Sequence, residues 1–123
     1  MMIGTDNEGG KLGSLFIYMA YGEKVIEPGS SKFFRRKNLL HRTLVSRAKQ
    51  DGIATAITGC SAFGFIEQGA IVAGAYELAP PTQPMWVELR DNQAKLKGFC
   101  NKHADLIEGH TMLFRPCERW TLN

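Results

Sequence analysis

A chain of 123 residues, 44% hydrophobic and 22% charged, suits one domain with one core, and its composition excludes disordered and fibrous classes. The formal net charge of +3 tolerates an anionic ligand but is too small to mark a nucleic-acid surface. Cys60, Cys100 and Cys117 are odd in number and lack CxxC spacing, which argues against a disulfide framework or zinc module and for a reducing, cytoplasmic setting. No apolar run reaches the ~18–20 residues of a membrane span. The opening residues are polar and acidic, unlike a signal peptide, and residues 1–12 read as a flexible tail.

Leu15 to Ala20 alternates Leu15, Ile17 and Met19 against Phe16, Tyr18 and Ala20. Both faces are apolar or aromatic, which predicts a central strand covered on both sides. Pro28-Gly29 marks a turn. Ser30 or Ser31 suits a helix N-cap, and the spacing predicts a helix over 32–50. Leu40, Leu44 and Ala48 form its stripe, Arg42, Arg47 and Lys49 its solvated side, and Gly52 its stop.

Ile53 to Thr58 reads as a second strand of small residues. Gly59-Cys-Ser-Ala-Phe-Gly64 closes it and opens a Gly-rich loop segment at 59–82, where glycines permit close approach of a ligand to the backbone. Within it, 66–80 is expected to be mobile or weakly ordered. Pro84 to Arg90 alternates Met85, Val87 and Leu89 against Trp86, Glu88 and Arg90, a third strand. Asp91 or Asn92 caps a second helix to about Glu108, with Leu96, Phe99, Cys100, His103 and Ile107 as its apolar stripe. Thr111 to Arg115 is a fourth strand, ended by Pro116. Residues 117–123 form a tail in which Trp120 wants a surface to pack on.

The order β-α-β-loop-β-α-β predicts an α+β, ferredoxin-like βαββαβ domain at 13–120, with two helices on one face of a four-stranded antiparallel sheet. The other face carries aromatics, too large a patch for a monomer. A homo-oligomer with sheets packed face to face is therefore expected. Base stacking is the rival use of such a face, but the third strand lacks the glycine-aromatic motif of RNA-recognition modules.

Several stretches carry a family resemblance: Leu15-Phe-Ile-Tyr18, Leu39-Leu-His41, Asp51-Gly-Ile-Ala-Thr-Ala56, Gly59-x-x-x-Phe63-Gly64 and Pro84-Met-Trp-Val-Glu88. In order and spacing the chain resembles the PII-like signalling proteins of the domain-of-unknown-function family 190, in the nitrogen-regulatory PII superfamily, over residues 13–118. The resemblance implies a homotrimer that binds an adenine nucleotide (ADP, AMP or ATP) in inter-subunit clefts. It also implies a T-loop that docks on a target transporter or enzyme. Gly59, Phe63 and Gly64 then stand at the loop base. Arg90 to Lys95 takes the place of a glycine-rich phosphate loop, but Arg-Asp-Asn-Gln-Ala-Lys has no glycine. That disfavours a cradled triphosphate and favours a smaller nucleotide or another anion.

Arg90, Lys95, Arg115 and Arg119 are the candidate anion ligands, since guanidinium and ammonium groups make charge-assisted bonds to phosphate. The helix start at Asn92 offers further N–H donors, with Asp91 opposing. Arg115, projected from a strand end before Pro116, is the leading candidate. The bland alternative is a set of scattered solvated cations. His41, His103 and His110 lie on different elements without ligand spacing, so no metal site is assigned. His103 reads as a core residue and Cys60 as a small buried thiol. A copper-tolerance-type trimer, metal-binding or structural and without nucleotide, is the alternative function. No nucleophile elbow, catalytic triad order, paired carboxylates or Walker motif is present, so the expected role is non-enzymatic, with no nucleic-acid partner and no membrane insertion.

Overall fold

The computed structural model describes residues 3–6 (backbone only), 11–26, 37–74 and 79–122. Its centre is a four-stranded sheet built from β2 (Leu12–Ala20), β5 (Thr55–Cys60), β8 (Pro84–Asn92) and β9 (Met112–Pro116), in the order β5-β8-β2-β9. Every pairing is antiparallel. The two longest strands pair in the middle, and the last strand lies beside the first, as a split βαβ plan requires.

The alternation seen in sequence sorts the two faces. Leu15, Ile17 and Met19 of β2 and Met85, Val87 and Leu89 of β8 are buried on one side. Helix α1 (Leu40–Gln50) contributes Leu40, Leu44 and Ala48 to the same core. Helix α2 (Gln93–Lys102) adds Leu96 and Phe99, and the short α3 (Ala104–Ile107) adds Ile107. Both main helices therefore cover one face of the sheet, as expected. Phe16, Tyr18 and Trp86 alternate to the other face and remain half-buried.

Helix α1 begins later than its periodicity suggested. Lys37–Leu39 forms strand β4, paired with β3 (Lys24–Ile26), and the Leu40 N–H donates to Glu23 O at 2.8 Å. Backbone held in that ladder is unavailable to a helix. Ser30 and Ser31 lie outside the described residues, and the N-cap is Leu39, in extended conformation without a side-chain cap. The C-terminus follows expectation: Gly52 takes φ +76°, which L side chains rarely adopt, and Ile53 N donates to Ala48 O at 3.0 Å.

Of the two candidates for the second cap, Asn92 is the one used, its side chain accepting from Lys95 N at 2.9 Å. The helix expected to reach Glu108 breaks at His103, with φ −112° and ψ 30°, before α3. Gly109, at φ +85°, lies beyond its end. The predicted stripe holds, with Leu96, Phe99, His103 and Ile107 buried and Cys100 half-buried.

Both ends depart from their reading as tails. Strand β1 (Ile3–Asp6) pairs antiparallel with β10 (Arg119–Leu122), Asp6 opposite Arg119. Trp120 does not find a surface: it is 64% exposed, and its indole N–H donates to Glu118 Oε2 at 3.0 Å. No helix among the described residues is long and apolar enough to cross a membrane.

Candidate functional site

The register lines up four residues across the open face, Thr55, Arg90, Ser14 and Arg115, one from each strand. Residues directly opposite in antiparallel strands share a face. The row thus carries two hydroxyls and two guanidiniums. Its β5–β8–β2 end forms one wall of a cavity of about 260 Å³, lined by Ser14, Thr55, Arg90, Cys117, Glu118 and Arg119 among others. The chain returns over this edge because Cys117 N donates to Leu12 O at 3.0 Å. That bond brings Arg119 to the cavity that Arg90 lines, from 29 positions away in sequence.

Arg90 is held on its inner side. Its Nη2 donates to Glu88 Oε2 at 2.5 Å and its Nε to Ser14 Oγ at 3.2 Å. Ser14 Oγ in turn donates to the same Glu88 oxygen at 3.0 Å. The Glu88 side chain is 12% exposed and that of Arg90 43%. The Ser14 hydroxyl hydrogen is thus spent on Glu88, and Arg90, Arg119 and Thr55 bring the remaining donors to the cavity, with Glu88 and Glu118 as the opposing charges.

The other two candidate cations lie elsewhere. Lys95 turns to the helix side, donating to Gly52 O at 2.5 Å and pairing with Asp91 Oδ2 at 3.3 Å. Arg115 lies over the Phe16 ring at 5.8 Å from its centroid. It borders a separate open-face groove with Phe16, Tyr18, Trp86 and Leu113. Of the four candidate cations, one cavity thus takes two, Arg90 and Arg119.

The helix N-terminus is also largely committed. Gln93 N donates to Lys11 O at 2.7 Å and Lys95 N to Asn92 Oδ1. Asp91 accepts from Ala54 N at 2.9 Å and Asn92 N at 2.7 Å. Partial burial pushes its carboxyl upward, but those two N–H groups and the Lys95 ammonium together hold it below the ordinary carboxylate value.

Neither Gly59 nor Gly64 at the loop base takes a positive φ. Gly59 stands opposite Trp86 in the ladder, and any Cβ there would run into the indole. Phe63 and Gly64 form β6 (Phe63–Gly64), paired with β7 (Val72–Ala73). Phe63, Phe65 and Ile71 on this hairpin are exposed, Phe63 at 70%. The base is tied by Gln83, fully buried, whose Nε2 donates to Ser61 Oγ at 2.8 Å, while Ser61 Oγ donates to Pro84 O at 2.7 Å. Thr111 donates to the Glu67 carboxylate, fixing the far side of the hairpin. Cys60 is exposed, not buried as expected, and 75–78 lie outside the described residues.

The histidines are dispersed. His103 Nε2 lies 2.7 Å from Asp51 Oδ2, and Lys102 reaches the other oxygen at 2.8 Å. The Lys102 bond first, then His103, holds the Asp51 carboxyl below its usual range. His110 Nε2 lies 2.7 Å from Glu23 Oε1, and His41 stacks on Tyr21. Among the described residues no group of three His, Cys, Asp or Glu gathers to hold a metal.

Ser14, Thr55, Ser61 and Gln83 were not picked out from sequence, and Glu88 was expected only as a carboxylate that could pair with Arg115, not with Arg90. The signal for the Arg90 pairing was present: Glu88 is two positions from Arg90, and strand alternation puts both on one face.

No family model and no curated protein matches the chain. Among solved structures, it is similar to CPII, a nitrogen regulatory PII-like protein from Thiomonas intermedia K12, bound to ADP, AMP and bicarbonate. The TM-score is 0.52 at 9% identity, covering 98% of this chain and 91% of that one. A second structure of CPII, bound to ADP and bicarbonate, gives 0.50 at 9% identity with the same coverage. An amidase of the hydantoinase/carbamoylase family from Burkholderia phymatum gives 0.37 at 11% identity, covering 96% of this chain and 30% of that one. The fold of this chain is that of PII-like, ferredoxin-type proteins.

Proposed function

We propose that this chain is a non-enzymatic, PII-like regulator that binds a small anionic effector, an adenine nucleotide such as ADP or AMP, at the Arg90–Arg119 edge of its sheet. The observation carrying this reading is the cavity that unites those two guanidiniums with the Ser14 and Thr55 hydroxyls. Arginine forks match phosphate oxygens, and the solved neighbours of like fold hold ADP. Without a glycine-rich phosphate loop, and with the helix N–H groups of Gln93 and Lys95 already bonded, a mono- or diphosphate suits the site better than a triphosphate.

In this reading the chain is a homotrimer, of the class named for family 190, and the cleft between subunits completes the nucleotide site. The open face, with Ile57 and Leu113 51% and 54% exposed, is the surface that packs. Effector binding stabilises one state of the 59–82 loop, whose exposed Phe63, Phe65 and Ile71 then meet a transporter or enzyme in the cytoplasm. The effector must favour that loop state over others for a signal to pass. Titration calorimetry with ADP, AMP, ATP and cyclic nucleotides tests the reading. Saturable binding of ADP or AMP, weakened about ten-fold or more on Arg119→Ala, supports it; no heat with any nucleotide rejects it.

A further inference from the structure

Arg90 stands on a half-exposed strand position, yet its side chain is fixed by two groups beneath it. Ser14, in the same open-face row, is 6% exposed. It accepts from Arg90 Nε at 3.2 Å and donates to Glu88 Oε2 at 3.0 Å, closing a three-membered ring of bonds with the Nη2–Glu88 contact. The ring uses one edge of the planar guanidinium, Nε and one hydrogen of Nη2. The other edge, Nη1 with the second Nη2 hydrogen, takes no partner among the described residues and is open to bidentate bonding, and Arg90 and Arg119 line the same cavity.

We propose that Ser14 and Glu88 are positioning residues: they clamp Arg90 by its inner edge so that its outer edge faces an anionic ligand. The inference rests on the nucleotide reading above. A free arginine side chain loses rotamer entropy when it docks a ligand. Holding it in place beforehand removes much of that cost at binding. The same carboxylate lowers the net positive charge of the cavity, so two effects of opposite sign act through Glu88. Pre-organisation needs an acceptor there but not a charge; competition for Arg90 needs the charge.

Conservative and truncating variants therefore separate the two. Calorimetry with ADP is the assay, with the Arg90 Nε–H signal in 15N NMR of the ligand-free protein as a second readout. Glu88→Ala is expected to bind ADP about ten-fold more weakly, the scale of one lost hydrogen bond to a charged group. Glu88→Gln keeps an acceptor and is expected to bind within about two-fold of the native chain, or more tightly, by the same scale. Ser14→Ala, which removes less from the fold, is expected to weaken binding about three-fold. The Nε–H signal, whose acceptor is Ser14 Oγ, should persist in the native chain and in Glu88→Gln and vanish by exchange in Ser14→Ala. Tighter binding by both Glu88 variants would show competition and overturn the proposal, as would unchanged affinity in Glu88→Ala and Ser14→Ala. A native chain with a protected Nε–H that binds no ADP overturns the nucleotide reading and leaves the clamp without a ligand to serve. A native chain that binds ADP with no protected Nε–H overturns the clamp alone.

Discussion

Gly59 of β5 lies directly opposite Trp86 of β8, and the indole occupies the space where any other residue would carry its Cβ. The glycine is required by a neighbour's ring, not by its own backbone. Gly59→Ala must push Trp86 out of place at the point where the sheet hands over to the loop. The expected destabilisation is about 1–3 kcal/mol, the usual cost of overpacking, with a shift in tryptophan emission. Chemical denaturation followed by fluorescence measures both; an unshifted midpoint would contradict the assigned packing.

Arg119 and Arg115 make opposite predictions because they point to different places. Arg119→Ala should weaken ADP by about 1.5–3 kcal/mol, the range for a hydrogen bond to a charged group. Arg115→Ala, which removes a cation lying over Phe16, should leave ADP affinity within about two-fold while altering self-association of the open face. Calorimetry and sedimentation on the two proteins decide; a large affinity loss from Arg115→Ala would place the ligand in the central groove instead.

The row Ile57–Glu88–Phe16–Leu113 crosses the open face. If that face packs against other subunits, the native chain sediments as a trimer and Leu113→Glu as a monomer, because an unpaired charge cannot be buried cheaply. A native chain that stays monomeric at micromolar concentration removes the assembly and the inter-subunit cleft together.

His41 is 8% exposed and stacked on Tyr21. Burial first, and the neighbouring Arg42 charge second, push its pKa below 6.5. The unfolded chain therefore takes up the proton at a higher pH than the folded one. Its contribution to stability is full above pH 6.5 and falls as pH drops below it. His41→Gln should flatten the change in melting temperature between about pH 7.5 and 5.5. An identical slope in the variant would assign that dependence to another group.

Asp51 and Asp91 act in a lower window. Both folded pKa values lie below 3.8, so their stabilisation is complete above that pH and is lost as pH falls through the folded values. Asp91→Ala removes the acceptor for Ala54 N and Asn92 N and should cost about 1 kcal/mol at pH 7. Asp51→Asn loosens the tie from the end of α1 to His103 and Lys102. Acid unfolding of either variant should show a shallower loss below about pH 4 than the native chain.

Strand alternation and helix stripes determined by themselves which residues enter the core and the order β-α-β-β-α-β, because burial follows a period of two or 3.6 set by local geometry. They also put Glu88 and Arg90 on one face and His103 inside. Tertiary structure decided the rest. Lys37–Leu39 left the helix because a partner strand, Lys24–Ile26, captured its backbone. Residues at the two chain ends became a ribbon because each supplied the other's hydrogen bonds. Lys95 went to the helix side because the α1 terminus presents Gly52 O and the cap presents Asp91. Arg119 joined Arg90 only when Cys117 bonded back to Leu12. Such long-range pairings have no period in the chain, so a cationic site assembled across them is legible as composition and becomes a place only in the fold.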